Sequence, residues 1–573
     1  MSDAYSAITN APAAGVESAG GVECCHRQVS PVRRAAPGLR AILLFVAVAG
    51  LLTNALSLVA TRLWVYPDSI DYIQLAGGLV DRFDVGNELF LIRTPGYPVL
   101  LALIFRVFGK SSPEAIAVIQ HLMAAATCVV GALLGHRLTQ SRAVALLAGV
   151  FCAVSLQVLA YANLPLTETP YTLALVACVY CLVRYLDDGP PRWLAGASLL
   201  AGWGYLLRPV GLYLGGVIAL AIVLRATKGT LRGSIARAHS WTRALAVACL
   251  AGILPALFLV APWMAISSYY HGSLQANRCL DYVLYLRAVE FDRLDSKTSA
   301  AMLDVHAVVE EAVARGLLPS DADVFDRATV IRAYQAVGGV PFARSSAIMG
   351  QAARDLMREH WAVIAANTVR YAAWLILAPD PVYRFVPGGA PGQEGKRDPS
   401  AETYDIGTYA FGEGSWEWVL KDYRHHLPLS AAAAPLTSTW TSLATWFHRA
   451  VDRGAPIFGL ADTRYEELMI LCVASGIAGL IFARNRAAWC VVASAVGAHV
   501  LVSAFLSGPQ TRYAVPIKPI LLLYLAFGLR QTATCGWWLA RGTARAMVAV
   551  CTGSEGLGRP ARTSSLTTGE PLS

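Results

Sequence analysis

Charged side chains are scarce in this chain. Only 15% of its 573 residues are Asp, Glu, Lys or Arg, whereas 55% are hydrophobic and the mean hydropathy is +0.48. A soluble protein of this length does not bury so much apolar surface in ordinary cores, which excludes a water-soluble globular class. The composition instead predicts an all-α polytopic membrane protein, whose apolar stretches cross the bilayer as helices.

Positive charge is in excess, with a formal net charge of +9, but it is not gathered into a surface for nucleic acid. The basic residues lie in short segments between apolar stretches, as the positive-inside rule expects of cytoplasmic loops. The densest of these segments covers residues 225–243. We therefore expect membrane lipid around the protein and no nucleic-acid partner.

Twelve cysteines do not form the pattern of a disulfide framework. Seven lie in or beside apolar stretches, four lie in the terminal segments, and Cys279 stands alone in the large polar middle. Cys178 and Cys181 form a CxxC motif inside an apolar stretch, where cysteines are more often small packing residues than a redox pair. No function is assigned to them.

Apolar stretches and their basic flanks predict ten transmembrane helices, with both termini in the cytoplasm. They are expected near residues 41–63, 113–137, 143–161, 170–186, 193–207, 210–224, 244–266, 468–482 and 487–506, with a last span ending near 529. The apolar stretch at 361–377 leaves the number open. If it crosses, a second crossing near 429–447 gives twelve spans, but we favour interfacial or re-entrant helices for both.

This topology divides the chain into five regions. We expect a disordered cytoplasmic tail over 1–40, a transmembrane catalytic module over 41–266 with a first outer loop at 64–112, a large extracytoplasmic region over 267–464, C-terminal transmembrane helices over 465–530 and a cytoplasmic tail over 531–573.

Six charged residues fall on the predicted outer face of the membrane. Singly, each has a structural explanation. Asp68 or Ser69 can cap an amphipathic helix that follows, and Arg208 and Arg512 can extend to the lipid headgroups. The apolar residues of that helix would face the bilayer: Ile70, Ile73, Leu75, Leu79 and Phe83. Six together are harder to explain in this way, because ionisable groups at membranes usually mark substrate or ion sites. The six are Asp68, Asp71, Arg93, Glu168, Arg208 and Arg512.

The chemistry of this set favours transfer from a lipid phosphate. A carboxylate can take a proton from an attacking hydroxyl or amine. Arginines can stabilise the negative charge of a departing phosphate.

Six short motifs carry these residues in a fixed order along the chain. They are Asp68-Ser69-x-x-Tyr72, Arg93-Thr94-Pro95-Gly96-Tyr97-Pro98, Thr167-Glu168, Leu207-Arg208-Pro209, Pro262-Trp263 and Arg512-Tyr513-x-x-Pro516-x-x-Pro519. Over about residues 41–530, this order resembles the GT-C superfamily of membrane glycosyltransferases. Within it, the chain is similar to the bacterial branch near the protein O-mannosyltransferases and the lipid A aminoarabinose transferases.

The resemblance implies a GT-C-type helical bundle in a bacterial plasma membrane, with its active site on the extracytoplasmic side. A sugar would pass from a polyprenyl-phosphate carrier to an outer acceptor with inversion at the anomeric carbon. The resemblance makes Asp68 the base and Glu168 a second acidic position. It makes Arg208 and Arg512 phosphate ligands, with Arg93 and Lys518 as lesser candidates, and lets Tyr72, Tyr97 and Tyr513 line the sugar site.

The chain departs from the family pattern at two places. The family often pairs Asp with Glu in the first loop, whereas Ser69 follows Asp68 here; Asp71, one helical turn along, is a candidate substitute. Met264 follows Trp263 where Arg-Asn is usual, which puts the donor contacts there in doubt. No cofactor is assigned, and a divalent metal at Asp68 or Asp71 stays open.

Two alternatives remain beside the transferase hypothesis. A transporter or flippase of a lipid-linked sugar predicts inverted repeats and broken helices that meet at the bilayer midplane, and the sequence has no convincing repeat. A non-enzymatic scaffold for an envelope-polysaccharide complex would leave the acidic and arginine positions without a chemical role. The acceptor class also stays open among glycolipid, polysaccharide and protein.

Overall fold

A computed structural model describes residues 37–60, 67–110, 112–187, 189–230, 238–272, 279–377, 465–483, 485–508 and 510–552. Every regular element within these ranges is a helix. The predicted all-α class is therefore confirmed. The predicted second crossing near 429–447, most of the N-terminal tail and residues 553–573 lie outside the described residues.

Eighteen α-helices lie in the described ranges. They are α1 (Pro37–Ala60), α2 (Pro67–Arg82), α3 (Gly96–Phe108), α4 (Pro113–Thr139), α5 (Arg142–Ala153), α6 (Leu156–Ala162), α7 (Glu168–Leu186), α8 (Arg192–Leu207), α9 (Tyr213–Thr230), α10 (Ala238–His271), α11 (Cys279–Tyr285), α12 (Ala300–Ala314), α13 (Arg327–Gly338), α14 (Phe342–Glu359), α15 (Trp361–Leu377), α16 (Tyr465–Phe482), α17 (Arg486–Ser507) and α18 (Lys518–Thr552).

Three short 3-10 helices and one π-helix connect them. The 3-10 helices cover Glu88–Leu91, Pro209–Leu212 and Thr511–Ile517, and the π-helix covers Leu286–Phe291.

Seven helices of the described residues are long and apolar enough to cross a membrane, judged by length and composition. These spans lie in α1, α4, α7, α9, α10, α17 and α18, and four shorter apolar helices (α3, α5, α15 and α16) accompany them. This set confirms a polytopic membrane protein. The apolar stretch at 361–377 forms α15, a helix of 17 residues that packs against α17.

Two predicted segments have a different structure from the one expected. The predicted span 143–161 is broken after Ala153, where Val154 and Ser155 leave the helix before α6 begins. The break lets Asn163, at the end of α6, reach the imidazole of His121 at 3.0 Å. The last helix continues to Thr552, well past the predicted end of the span near residue 529.

Helix α7 lies at the centre of the bundle. It packs against α4, α8, α9, α17 and the 3-10 helix at Thr511–Ile517, and most of its residues are buried. Its apolar side chains supply much of the largest hydrophobic core, together with those of α17 and α18. Glu168, the first residue of α7, is thereby fixed among the ends of its neighbours.

A second core lies between α2 and α3, which form a pair of helices within the predicted first outer loop. Tyr72 and Ile73 of α2 pack against Tyr97 and Leu101 of α3. Ile70, Ile73 and Leu75 are 7%, 0% and 1% exposed. For these three side chains the alternative in which they face the bilayer is wrong, because they pack inside the protein, whereas Phe83 is 74% exposed.

The helices α11 to α14 form a separate layer with a hydrophobic core of its own. Arg287 of the π-helix ties this layer to the membrane helices. Its buried guanidinium pairs with Asp292, and its Nε donates to the Ala504 carbonyl of α17 at 3.3 Å. Asp292 also accepts hydrogen bonds from Asn367 and Tyr371 of α15, at 3.0 and 2.9 Å.

Candidate active site

Asp68 lies in the first turn of α2, and Asp71 lies one turn further along the helix on the same side. Pro67 begins the helix, where its fixed φ fits and no hydrogen-bond donor is lost, and acidic residues favour the positive end of the helix dipole. Arg93 reaches both carboxylates. Its Nη2 lies 2.6 Å from Asp68 Oδ1, and its Nε donates to Asp71 Oδ2 at 2.9 Å.

A second guanidinium approaches Asp68 from the far end of the chain. Arg512 Nη1 donates to Asp68 Oδ2 at 2.8 Å, across 444 residues of sequence. Asp68 is therefore held between two arginines, one on each carboxylate oxygen. This pairing replaces the alternative in which Arg512 extends alone to the lipid headgroups.

The second acidic position pairs in the same way. Arg208 Nη1 lies 2.6 Å from Glu168 Oε1, and both side chains are buried, at 9% and 3% exposure. Burial of a charged pair is favourable only when the two charges meet closely, as they do here. Arg208 is placed by the end of α8, where the chain becomes extended before Pro209.

Tyr513 joins the two ion pairs. Its ring centroid lies 4.4 Å from the guanidinium carbon of Arg208 and 5.5 Å from that of Arg512. Guanidinium groups over an aromatic face are attracted by the ring quadrupole. Together with Asp71 and Arg93, these contacts make one continuous network, which we call the acid–arginine network: Asp71, Arg93, Asp68, Arg512, Tyr513, Arg208 and Glu168.

The segment after Arg93 is docked on the end of α8. Thr94 Oγ1 donates to the Leu207 carbonyl at 2.9 Å. A Cβ on Gly96 would lie 2.6 Å from the Leu206 carbonyl oxygen, so only glycine allows this approach. The motif thus holds the backbone next to Arg93 against the backbone next to Arg208, since Arg208 directly follows Leu207.

Of the other predicted residues, Tyr72 lies beside the acid–arginine network, with its ring centroid 5.4 Å from the guanidinium carbon of Arg93. Tyr72 and Tyr97 are buried with their rings edge to face at 5.1 Å, and the Tyr97 hydroxyl donates to Gln120 Oε1 at 2.9 Å. Lys518 is 4% exposed, and its Nζ lies 3.7 Å from Met469 Sδ of α16. The structure thus places Tyr97 beneath Tyr72, and Lys518 on the side of α16.

The two aspartates of α2 have opposite shifts in pKa. Burial by itself raises the pKa of Asp68, but the guanidiniums of Arg93 and Arg512 outweigh it and hold this pKa well below the usual value. Burial also raises the pKa of Asp71, where Arg93 opposes the effect and the negative charge of Asp68 reinforces it. The net pKa of Asp71 is raised, so Asp68 is the more firmly ionised carboxylate.

The surroundings of Asp68 and Asp71 do not suit a divalent cation. No group of three or more His, Cys, Asp or Glu side chains in the described ranges is arranged to hold a metal ion. Asp68 has a guanidinium on each oxygen, and a divalent cation would have to displace them against their charge. The donor set therefore fits arginine and an anion better than a metal.

One residue of the site was missed by sequence reasoning. His499 of α17 is 1% exposed and hydrogen-bonds the Tyr513 carbonyl at 2.5 Å. It belongs to no motif, and its only sequence signal is an ionisable side chain within an apolar stretch.

One segment of the chain matches a known family in sequence. Residues 93–262 match the model of a family described as dolichyl-phosphate-mannose-protein mannosyltransferase, and this segment contains Arg93, Glu168 and Arg208. The match confirms the predicted GT-C resemblance. No protein of curated function matches the chain.

Two solved structures are among those that match the chain over most of its length. The oligosaccharyltransferase AglB from Archaeoglobus fulgidus, solved with an inhibitory peptide and a dolichol-phosphate, has a TM-score of 0.43 and 12% identity, over 89% of this chain and 52% of AglB. ArnT from Cupriavidus metallidurans, solved bound to undecaprenyl phosphate, has a TM-score of 0.33 and 12% identity, over 84% of this chain and 78% of ArnT. The chain thus spans about half the length of AglB.

Proposed function

We propose that this protein is a membrane glycosyltransferase that moves a sugar from a polyprenyl-phosphate carrier to an extracytoplasmic acceptor. The observation that carries the proposal is Asp68 held between Arg93 and Arg512, with the Arg208–Glu168 pair joined to it through Tyr513. Such a network places a carboxylate and several guanidiniums within one site. The family matched over residues 93–262 is described by a donor of this lipid-phosphate class.

The reaction needs one bond to form and one to break at the anomeric carbon. An acceptor hydroxyl attacks that carbon from the side opposite the phosphate, so the configuration inverts. The bond from carbon to phosphate oxygen breaks, and the polyprenyl phosphate leaves with the electron pair. The acceptor's proton passes to a carboxylate, for which we propose Asp68.

Arg512 gives the donor phosphate a means of activating Asp68. A phosphate competes with the Asp68 carboxylate for the same guanidinium, since both bind arginine through paired oxygens. When Arg512 turns towards the phosphate, Asp68 loses one of the two positive charges that lower its pKa. Asp68 then becomes a better proton acceptor in the presence of donor than in its absence.

Arg208 is the second proposed phosphate ligand, and it is buried against Glu168 and Tyr513. A buried guanidinium stabilises charge that develops on a leaving phosphate more strongly than one in water, because the local dielectric constant is lower. Glu168 would hold Arg208 in place before the donor arrives. Arg93 would orient the two aspartates.

Asp71 is the alternative base. Its raised pKa suits proton transfer better than the lowered pKa of Asp68 in the free protein. Because both carboxylates share Arg93, replacing one changes the charge around the other. The single variants Asp68→Asn and Asp71→Asn distinguish the two assignments, because only the substitution of the base should abolish turnover.

The sugar is a hexose or a pentose, and the acceptor is a glycolipid, a polysaccharide or a protein. We place the protein in a bacterial plasma membrane with the acid–arginine network on the outer side and both termini in the cytoplasm, because basic segments flank the spans on the opposite side.

The proposal is tested with the purified protein in detergent and a mixed pool of polyprenyl-phosphate sugars. We expect free polyprenyl phosphate to be released in the presence of an envelope glycolipid or protein acceptor, without any ion gradient. Movement of a lipid-linked sugar across vesicles with no release in detergent would favour the transporter alternative. If the protein carries out neither transfer nor transport with any acceptor class, the proposal is contradicted.

A further inference from the structure

The Tyr513 ring contacts both proposed phosphate ligands, Arg208 and Arg512. Its ring is 4.4 Å from the Arg208 guanidinium and 5.5 Å from that of Arg512. Two guanidiniums repel each other, and an aromatic ring that attracts both offsets part of that repulsion. A side chain that fixes the position of Tyr513 therefore also fixes the arrangement of the two guanidiniums proposed to bind the phosphate.

His499 is the side chain that holds the backbone of Tyr513. Its Nε2 lies 2.5 Å from the Tyr513 carbonyl oxygen. A carbonyl only accepts hydrogen bonds, so Nε2 carries the proton. His499 Nδ1 has no hydrogen-bond partner among the described residues. A second proton there would be a buried charge without a partner, so the neutral Nε2–H form fits the site.

The imidazole also contacts the other two segments of the site. It lies 5.9 Å from the ring of Tyr171 and 5.6 Å from that of Tyr213. Tyr171 stands one helical turn after Glu168 on α7, and Tyr213 begins α9 just after the turn that carries Arg208. One buried side chain thus touches the three segments that supply Glu168, Arg208 and Arg512.

We infer that His499 is a positioning residue for the phosphate of the lipid-linked donor. Its hydrogen bond to the Tyr513 carbonyl holds the segment whose ring contacts both Arg208 and Arg512, and so positions the two guanidiniums. This inference rests on the proposed function, because it assigns the phosphate to those two arginines. His499 itself does not touch the reacting atoms.

Two substitutions separate the hydrogen bond from the packing of the ring. His499→Gln places an amide N–H near the position of Nε2 and removes the aromatic ring. His499→Phe keeps a ring between Tyr171 and Tyr213 and removes the donor. Each variant is first compared with the wild type in yield and thermal unfolding, so that a folding defect is recognised.

The readout is binding of a fluorescent, short-chain polyprenyl phosphate in detergent, followed by the kinetics of transfer. We expect His499→Phe to bind about tenfold more weakly, the effect of one lost hydrogen bond, with the change in donor KM rather than in kcat. His499→Gln should stay within about threefold of the wild type. The reverse order of the two variants would overturn the inference, because packing of the ring would then be the cause.

A second measurement keeps this test separate from that of the proposed function. If the wild type binds no polyprenyl phosphate, the proposed function fails. Hydrogen–deuterium exchange over residues 510–517 then still decides whether His499 orders the segment. Faster exchange in His499→Phe than in His499→Gln supports the positioning role, and equal exchange in both overturns it.

Discussion

Asp68 and Asp71 share Arg93 and stand one turn apart, yet they differ in charge environment. Asp68 has two guanidiniums, whereas Asp71 has one and also faces the charge of Asp68. Environments that push two pKa values apart often distinguish the roles of two carboxylates. Here they lower the pKa of Asp68 and raise that of Asp71, so that Asp71 becomes protonated before Asp68 as the pH falls.

The shifts predict opposite effects on stability when each aspartate becomes asparagine. The lowered pKa of Asp68 stabilises the folded protein above its ordinary pKa, and this contribution is lost as the pH falls towards the lowered value. The raised pKa of Asp71 has the opposite sign, and its contribution is lost as the pH rises through the raised value. At pH 7, Asp68→Asn should lower the melting temperature, whereas Asp71→Asn should leave it unchanged or raise it.

The measurement is thermal unfolding of the detergent-solubilised variants between pH 7 and pH 4. As the pH falls, the difference in melting temperature between Asp71→Asn and the wild type should shrink before that of Asp68→Asn, since Asp71 becomes protonated first in the wild type. An Asp71→Asn variant that is as unstable at pH 7 as Asp68→Asn would show that the two environments do not differ as described.

Arg512 should matter most for affinity towards the donor. Arg512→Lys retains a positive charge but cannot form two parallel hydrogen bonds to a phosphate. We expect a rise in donor KM of about tenfold for Arg512→Lys and more for Arg512→Ala. The matched control is Arg344→Lys in α14, within the layer formed by α11 to α14. Equal effects of the control and Arg512→Lys would show that Arg512 does not bind the donor.

At the scale of single elements, the 93–96 segment, which carries Arg93, is held against the end of α8, which is followed by Arg208. Gly96→Ala should break this contact, because its Cβ would lie 2.6 Å from the Leu206 carbonyl. We expect transfer to fall by about 10- to 100-fold, as displacements near 1 Å can cost this much.

The control is Gly215→Ala in α9, where an added Cβ meets no atom within 4 Å. This variant should express and transfer as the wild type does, because alanine also favours a helix. Normal transfer by Gly96→Ala would contradict the role given to the close approach.

The π-helix between α11 and α12 predicts a second element-scale effect. Arg287 and Asp292 are fully buried and paired, so removing one partner leaves a buried charge uncompensated. We expect Arg287→Met to cost about 3–5 kcal/mol of stability. Limited proteolysis of the layer α11 to α14 should show faster cleavage in this variant. Unchanged cleavage would mean that the Arg287–Asp292 pair does not hold the layer α11 to α14 against the membrane helices.

At the scale of the whole molecule, much of the fold is encoded in hydropathy, because long apolar runs have few alternatives in a membrane. The predicted spans at 113–137 and 170–186 correspond to α4 and α7. The break after Ala153 was not predictable, since no Pro or Gly marks it. It serves contacts with distant residues, such as that of Asn163 with His121.

The sequence marked the charged side chains that the structure brings together, but it did not indicate how they pair. Motif order on one membrane face marked Asp68, Arg93, Glu168, Arg208 and Arg512 as candidates, because buried charges are costly and rarely incidental. Which carboxylate meets which arginine depends on the packing of helices up to 444 residues apart. His499 carried no motif, since its role arises only from where α17 passes the Arg512–Tyr513 segment.

The proposed orientation predicts the accessibility of two positions in intact cells. Lys110 follows α3 on the predicted outer side, whereas Cys535 is exposed on α18 within the predicted cytoplasmic tail. In a background without other exposed cysteines, a membrane-impermeant thiol reagent should label Lys110→Cys and spare Cys535. Labelling of Cys535 alone would invert the topology and place the acid–arginine network on the cytoplasmic side.

The most direct test of the central claim compares the wild type with Asp68→Asn in the release of free polyprenyl phosphate from polyprenyl-phosphate sugars. The account predicts release by the wild type and none by an equally well folded Asp68→Asn. Equal release by both proteins would contradict the assignment of Asp68 as the base.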